Sequence, residues 1–277
     1  MNKLSRNYWV RKLSRRARNA AKGLHPFEDA EIYQAGADFD LDRARADALQ
    51  SGGDFAKLFW SHTGRWADKW PHYFPIYDEC FAPYRRGFPL ADGSMRPLKF
   101  LEIGVSHGGS LQIWRKFFGP AAKIFGADID PRCASVADPT EQVRIGSQDD
   151  PVFLQKVIDE MGGVDVILED GSHIANHQEA SFDILFPLLP EGGLYVVEDT
   201  QTAYWRPWQG GYRRPGTFIE VSKSVVDDMH ARYHGSGAAR PFAGHDVQSV
   251  AFFDGIIAFK KGTRPPSYRV QVGTRSF

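Results

Sequence analysis

The chain has 277 residues, 42% hydrophobic and 25% charged, which is enough to bury a sizeable core in one large domain or in a core domain with an appendage. Its 34 basic and 34 acidic residues cancel, so no overall field draws it to nucleic acid. Cys80 and Cys133 make neither a disulfide framework nor a metal cluster, no apolar run reaches membrane-spanning length, and the start lacks the apolar segment of a secretory signal; a reducing, cytoplasmic setting fits.

Charge is uneven along the chain. Met1–Lys22 carries eight Lys and Arg and no acid, with Leu4, Tyr8, Leu13 and Ala17 at near-helical spacing beside Trp9. A basic amphipathic segment of this kind (taken as residues 1–25) is either a solvated tail or a helix lying on an anionic membrane surface, here the inner face. Residues 26–95 form a second region. Leu41–Leu49 resembles a short helix, Ser51-Gly52-Gly53 a break, and Ser61–Arg86 is dense in Trp, Tyr, Phe and His. Such aromatics line a pocket, close over one as a lid, or pack a helical layer. The lid is favoured for Trp70–Tyr77. Arg86–Pro97 is turn-rich and reads as a linker.

From about residue 96 the chain alternates short apolar runs with helical periodicity. Strands are expected at Lys99–Ile103, Lys123–Ala127, Val143–Ile145, Val164–Leu168 and Leu194–Val197. Helices are expected at Ser110–Phe118, Pro151–Met161, Ala175–Leu189 and Thr217–Tyr233. Asp254-Gly255 between two apolar β runs, Val247–Phe253 and Ile256–Lys260, is a strong hairpin signal. The expected fold is α/β, a Rossmann-like sheet of seven strands closed by that hairpin.

The first strand of this series runs into Gly104, Gly108 and Gly109 and then a helix. Strand, glycine turn and helix bring backbone close to a ligand. The spacing is Gly-x-x-x-Gly-Gly, and Glu102 stands two residues before the first glycine, which suits an ammonium-bearing ligand better than a pyrophosphate. Asp128 ends the second strand, where a carboxylate accepts both hydroxyls of a ribose, with Asp130 as runner-up. Gly146-Ser147-Gln148-Asp149 follows the third. The fourth strand ends in Glu169-Asp170-Gly171-Ser172-His173 and the fifth in Glu198-Asp199. Neighbouring carboxylates raise one another's pKa unless a cation sits among them, and three oxygen ligands with open positions suit Mg²⁺.

The stretch Lys99–Leu111 resembles motif I of class I S-adenosylmethionine (SAM) methyltransferases. LEDGSHIANHQ, FPLLPEGGLYVVEDTQTAYW and VQSVAFFDGIIAFKKG resemble the metal-dependent sugar O-methyltransferases of macrolide biosynthesis, over roughly Leu98–Lys261. The resemblance implies SAM and Mg²⁺ as cofactors and a sugar-bearing acceptor, soluble or glycolipid. It implies SAM contacts at Glu102, Gly104, Ser106, Gly108, Ser110, Asp128, Gln148 and Asp149. It assigns the metal to Asp170, Glu198 and Asp199 and the general base to His173. Tyr204, Trp205 and His177 are candidates for the acceptor side, and Gly210–Gly216 reads as a mobile loop near the same mouth. Relatives of this kind often self-associate, so a homo-oligomer is expected. Two rival readings remain: a non-haem iron oxygenase using Asp170, His173 and His177, and a non-catalytic SAM-fold module.

Overall fold

Period-two burial along short apolar strands builds the centre of the molecule. Phe100, Val166, Leu168, Leu194 and Val196 face one core; Leu101, Ile103, Ile167, Tyr195 and Val197 face the other. The structure is a computed structural model and describes residues 40–50, 53–234, 242 and 244–277. The basic segment 1–22 lies outside the described residues.

Seven strands form one sheet: β1 (Lys99–Ile103), β2 (Lys123–Asp128), β3 (Glu141–Ile145), β4 (Val166–Glu169), β5 (Leu194–Val197), β6 (Val247–Phe252) and β7 (Ile257–Lys261). Their order across the sheet is β3-β2-β1-β4-β5-β7-β6. The first five are parallel and the β6–β7 hairpin is antiparallel. Register aligns Ile103 with Glu169 and Glu169 with Val197, so the carboxyl ends of β1, β4 and β5 are level.

Helices cover both faces. The second core takes Leu154, Val157 and Ile158 of Pro151–Met161, Phe182 and Leu185 of Ala175–Leu185, and Phe218, Val221 and Val225 of Phe218–Met229. The first takes Gly109–Phe118 and three elements from the amino-terminal region: Leu41–Gln50, Asp54–Trp60 and Phe74–Phe81. The helix expected over Ala175–Leu189 stops at Leu185 and continues as a single 3₁₀ turn. Pro187 has no N–H to give, so the hydrogen-bond ladder of the helix ends there. Thr217–Tyr233 likewise divides into Phe218–Met229 and a 3₁₀ turn at Ala231–Tyr233. Within Arg86–Pro97, Phe88–Pro89 pairs antiparallel with Met95–Arg96.

Most of the segment expected as a lid, Trp70–Tyr77, is part of the core, while Trp70 is 38% exposed and lines a cavity. Tyr73, Phe74 and Tyr77 are fully buried or nearly so. Phe55 packs against Tyr77 and Trp114 with ring centroids 4.6 and 4.7 Å away. The aromatic density of this region is what a thin helical layer needs to fill the space over a sheet.

Candidate functional site

The carboxyl ends of β1, β2, β4 and β5 surround a cavity of about 510 Å³ whose wall includes Lys69, Gly104, Asp128, Asp170, His173 and Asp199. Gly104, Asp128 and Gly171 also line a smaller neighbour of about 160 Å³, together with Gly146, Gln148 and His177. Parallel sheets bind ligands at this edge because loops there diverge from neighbouring strands.

An acid centre forms one wall. The strand alternation that buries Phe100, Leu168 and Val196 also points Glu102 and Glu198 toward the amino-terminal helices. Asp170, His173 and Asp199 converge, each offering a ligand atom within 4.8 Å of the others. His173 Nε2 is 3.5 Å from Asp199 Oδ2 and 3.9 Å from Asp170 Oδ1, while its Nδ1 is buried with no hydrogen-bond partner. His173 and Asp199 both have positive φ, 55° and 54°, a conformation costing roughly 1 kcal/mol or more in a non-glycine residue. Backbone strain at two adjacent polar loops marks a place where side-chain direction outweighs local comfort.

Four side chains from the amino-terminal region serve these acids. The Lys69 ammonium donates to Asp170 Oδ2, donates to Glu198 Oε2 at 3.0 Å, and lies 3.7 Å from Glu102 Oε1. The Tyr77 hydroxyl donates to Glu198 Oε1 at 2.7 Å. Trp70 Nε1 and the Tyr73 hydroxyl donate to Asp199 Oδ1 at 3.1 and 2.8 Å. Burial by itself would pull the Lys69 pKa down; Asp170, Glu198 and Glu102 together overcome it and hold the ammonium above the usual lysine range. Burial, then the Asp170 charge, pushes Glu198 well up, and burial pushes Glu102 to about 7 against the pull of Lys69. Both tyrosines are pushed up, first by burial and then by the adjacent carboxylates, so their hydroxyls stay protonated as donors.

On the glycine-turn side, Asp128 stands at the junction of the two cavities. Its Oδ2 accepts from the N–H groups of Val105 and Ser106, at 2.8 and 3.0 Å, and its Oδ1 from that of Asp130. The turn thus aims the carboxylate. Gly104 has φ +93°, and a Cβ there would lie 1.9 Å from the Asp170 carbonyl oxygen. Ser106 lines the larger cavity. Other expected cofactor contacts are occupied within the protein. Glu102 is fully buried and accepts from Ser110 Oγ and Trp114 Nε1, which also accounts for Ser110. Gly108 starts the helix at φ 76°, but a Cβ there would strike Val136. Gly109 is required because the Arg65 and Trp66 carbonyl oxygens lie 2.3 and 2.4 Å from where its Cβ would be. Those two glycines make room for protein. Gln148 donates to Glu169 and accepts from the Ser172 N–H, tying the loop after β3 to the loop after β4. Asp149 accepts from Ser147 and lies 3.6 Å from His177.

Three expected acceptor contacts fall elsewhere. His177 hydrogen-bonds Ser172 Oγ at 2.9 Å and lines the smaller cavity with Gln148. It is not in the Asp170–His173–Asp199 group, so the oxygenase's two histidines are not brought together. One helical turn would have placed them on one face, but His173 sits before the helix, at positive φ. Trp205 is buried against Trp208, 5.5 Å between centroids. Tyr204 is 44% exposed and lines a separate apolar cavity with Gln201, Ile219 and Phe252. Gly210 and Gly211, expected in a mobile loop, donate backbone hydrogen bonds to Trp205 and Ala203. By sequence Lys69 has no assigned role, and Tyr73 and Tyr77 fall in the expected lid without a role toward these acids. Their one signal was polar and basic groups interleaved among aromatics.

Comparison with known proteins bears on this geometry. Residues 101–200 match a methyltransferase-domain family. The chain is 36% identical over 260 residues to a Streptomyces olivaceus 8-demethyl-8-(2-methoxy-alpha-L-rhamnosyl)-tetracenomycin-C 3'-O-methyltransferase, covering 87% of this chain and 61% of that one. It is 38% identical over 172 residues to the mycinamicin VI 2''-O-methyltransferase of Micromonospora griseorubida, covering 56% and 39%. The chain therefore spans about three fifths or less of these relatives' length. Among solved structures, the MycE methyltransferase of the mycinamycin pathway, in complex with Mg and SAH, superposes with a TM-score of 0.65 at 29% identity, over 76% of this chain and 55% of that one. The sheet order and the MycE superposition show a class I methyltransferase fold, residues 101–200 match a methyltransferase domain, and the chain is similar to O-methyltransferases that act on the sugars of tetracenomycin and mycinamicin glycosides.

Proposed function

We propose that the chain transfers the methyl group of SAM to a sugar hydroxyl of a glycosylated acceptor, with Mg²⁺ at the acid centre. The observation that carries this reading is the convergence of Asp170, His173 and Asp199 on the cavity that Gly104 and Asp128 also line. The residues fit a divalent cation: Glu102, Asp170 and Glu198 are gathered around a single ammonium, Lys69, and Asp199 lines the same cavity. They fit SAM at the glycine turn, where Asp128 is held by three backbone N–H groups at the junction of two cavities.

In this reading Asp128 accepts the ribose hydroxyls, and Gly104 lets the loop after β4 close against the turn at the cavity wall. Asp170, Glu198 and Asp199 would hold the metal, which when bound would lower the pKa of a sugar hydroxyl and fix its direction. His173 takes the hydroxyl proton at Nε2, the nitrogen facing the carboxylates, as the oxygen attacks the methyl carbon. The Trp70 and Tyr73 donors keep Asp199 oriented beside His173. Holding acceptor and methyl donor in line supplies much of the acceleration.

The names of the relatives support a glycoside, and the basic segment 1–22 supports an acceptor or precursor presented at an anionic membrane surface. Among the described residues no helix is long and apolar enough to cross a membrane. The test uses radiolabelled SAM, the purified protein and a cell extract divided into aqueous and lipid phases, each with Mg²⁺ or chelator. Chelator-sensitive label in either phase supports the reading and tells soluble glycoside from glycolipid. Label that survives chelation refutes the metal assignment, and absence of label in both refutes a sugar acceptor from that source. The same experiment on protein lacking residues 1–22, with liposome sedimentation, tests the membrane contact. Sedimentation equilibrium tests self-association.

A further inference from the structure

We propose that Lys69 is the resident cation of the acid centre and that a divalent ion enters by displacing its ammonium. The inference rests on the metal reading above and adds a residue that controls it. Lys69 Nζ lies where a bridging ion would lie: it donates to Asp170 Oδ2 at the end of β4 and to Glu198 Oε2 at the end of β5, with Glu102 Oε1 at 3.7 Å. The side chain is 3% exposed, so water does little to screen it. A dication placed against the same oxygens would meet the ammonium in direct contact, and two cations at that separation exclude one another.

Ligand supply leads to the same conclusion. With Lys69 in place, the ligand atoms that converge within 4.8 Å of one another are those of Asp170, His173 and Asp199, without Glu198. That is two carboxylates and an imidazole, whereas Mg²⁺ seeks oxygen. Of the two oxygens of Glu198, Tyr77 holds one and Lys69 the other. Releasing Lys69 frees Glu198 Oε2 and the second Asp170 oxygen together. Residues 66–70 belong to no helix or strand, so no ladder hydrogen bond fixes the backbone that carries the lysine. Two consequences follow. The metal-free protein carries its own counter-ion, so it folds without metal. Metal affinity is lowered by the work of removing that counter-ion, so the ion exchanges readily.

The test uses the full chain and Mn²⁺, whose free and bound forms are distinguished by electron paramagnetic resonance, with Mg²⁺ as competitor. Lys69→Met keeps the length of the side chain and removes the charge. The expected result is at least a tenfold lower Kd for Mn²⁺ in Lys69→Met than in the wild type. If Lys69→Met folds only when Mn²⁺ is supplied, that also supports the proposal, since the ion then replaces the missing ammonium. The wild type gives a measurement that needs no substitution. Lys69 should resist acetic anhydride in metal-free protein and become acetylated once Mn²⁺ is bound, as read by peptide mass spectrometry. Equal Mn²⁺ affinity in the two proteins, or Lys69 equally protected with Mn²⁺ bound, overturns the proposal and leaves the metal site standing. No Mn²⁺ binding by either protein overturns both.

Discussion

Replacing Gly104 by Ala tests whether the glycine turn exists to seat the loop after β4. The structure gives two separate costs. At φ +93° an alanine is held in a region L residues avoid, a strain of about 1–3 kcal/mol. The added Cβ would lie 1.9 Å from the Asp170 carbonyl oxygen and 2.6 Å from its carbonyl carbon. Both are backbone atoms, so no rotamer change relieves the overlap. Overpacking of this kind adds about 1–3 kcal/mol, for a total of about 2–6 kcal/mol. Gly93→Ala is the control, because Gly93 has φ +82° with nothing within 4 Å of its Cβ position; it should cost the strain alone, about 1–2 kcal/mol. Urea unfolding followed by circular dichroism gives both values. Calorimetry should show SAM affinity reduced at least tenfold in Gly104→Ala and unchanged in Gly93→Ala, because Gly104 lines both cavities and Gly93 neither. If Gly104→Ala matched Gly93→Ala in stability and bound SAM normally, the close packing of β1 against the β4 loop would not be what requires glycine.

His173→Ala should lower turnover by about 10²–10⁴-fold while leaving SAM affinity within a factor of a few, as checked by initial rates and calorimetry. A variant with wild-type turnover would remove the base assignment. Tyr77→Phe takes the donor from Glu198 Oε1 in a fully buried site and should cost about 1–3 kcal/mol in urea unfolding. A neutral result would mean that the hydroxyl does not serve that carboxylate. Cys80 and Cys133 are both pushed up to about 12, chiefly by burial, so little thiolate forms at pH 8. Since the thiolate is the reactive form, iodoacetamide should modify the folded chain about a thousandfold more slowly than the urea-unfolded chain, with mass spectrometry as the readout. Fast labelling of the native protein would contradict that burial.

Much of the fold was legible because its causes are local. Apolar runs at strand length, helical stripes such as Leu154, Val157, Ile158 and Met161, and the Asp254-Gly255 turn each depend on neighbours a few residues away. The observed strands differ from the expected ones by at most two residues at an end. The acids could also be read in place, since residues that end parallel strands share one edge of the sheet. Where expectation and structure part, a second segment intervenes. Gly108 and Gly109 look like a ligand cradle in sequence, but Val136, Arg65 and Trp66 fill the space beside them. Ser110 and Glu102 look like cofactor contacts, but they are engaged with each other and with Trp114.

The amino-acid sequence by itself determined the α/β sheet, the glycine turn and the placing of Asp128, Asp170, His173, Glu198 and Asp199 at strand ends. Those properties follow from backbone periodicity and from where parallel strands stop. Only the tertiary structure decided what faces those acids. Lys69 meets Asp170 across 101 positions, Tyr77 meets Glu198 across 121 and Trp70 meets Asp199 across 129. These partners come from a segment whose own pattern calls only for burial. Its aromatic rings are drawn onto the sheet by the hydrophobic effect, which is indifferent to partner, and that docking carries one lysine and two hydroxyls onto buried carboxylates. No local spacing encodes such a pairing, because it arises from how two separately patterned layers stack.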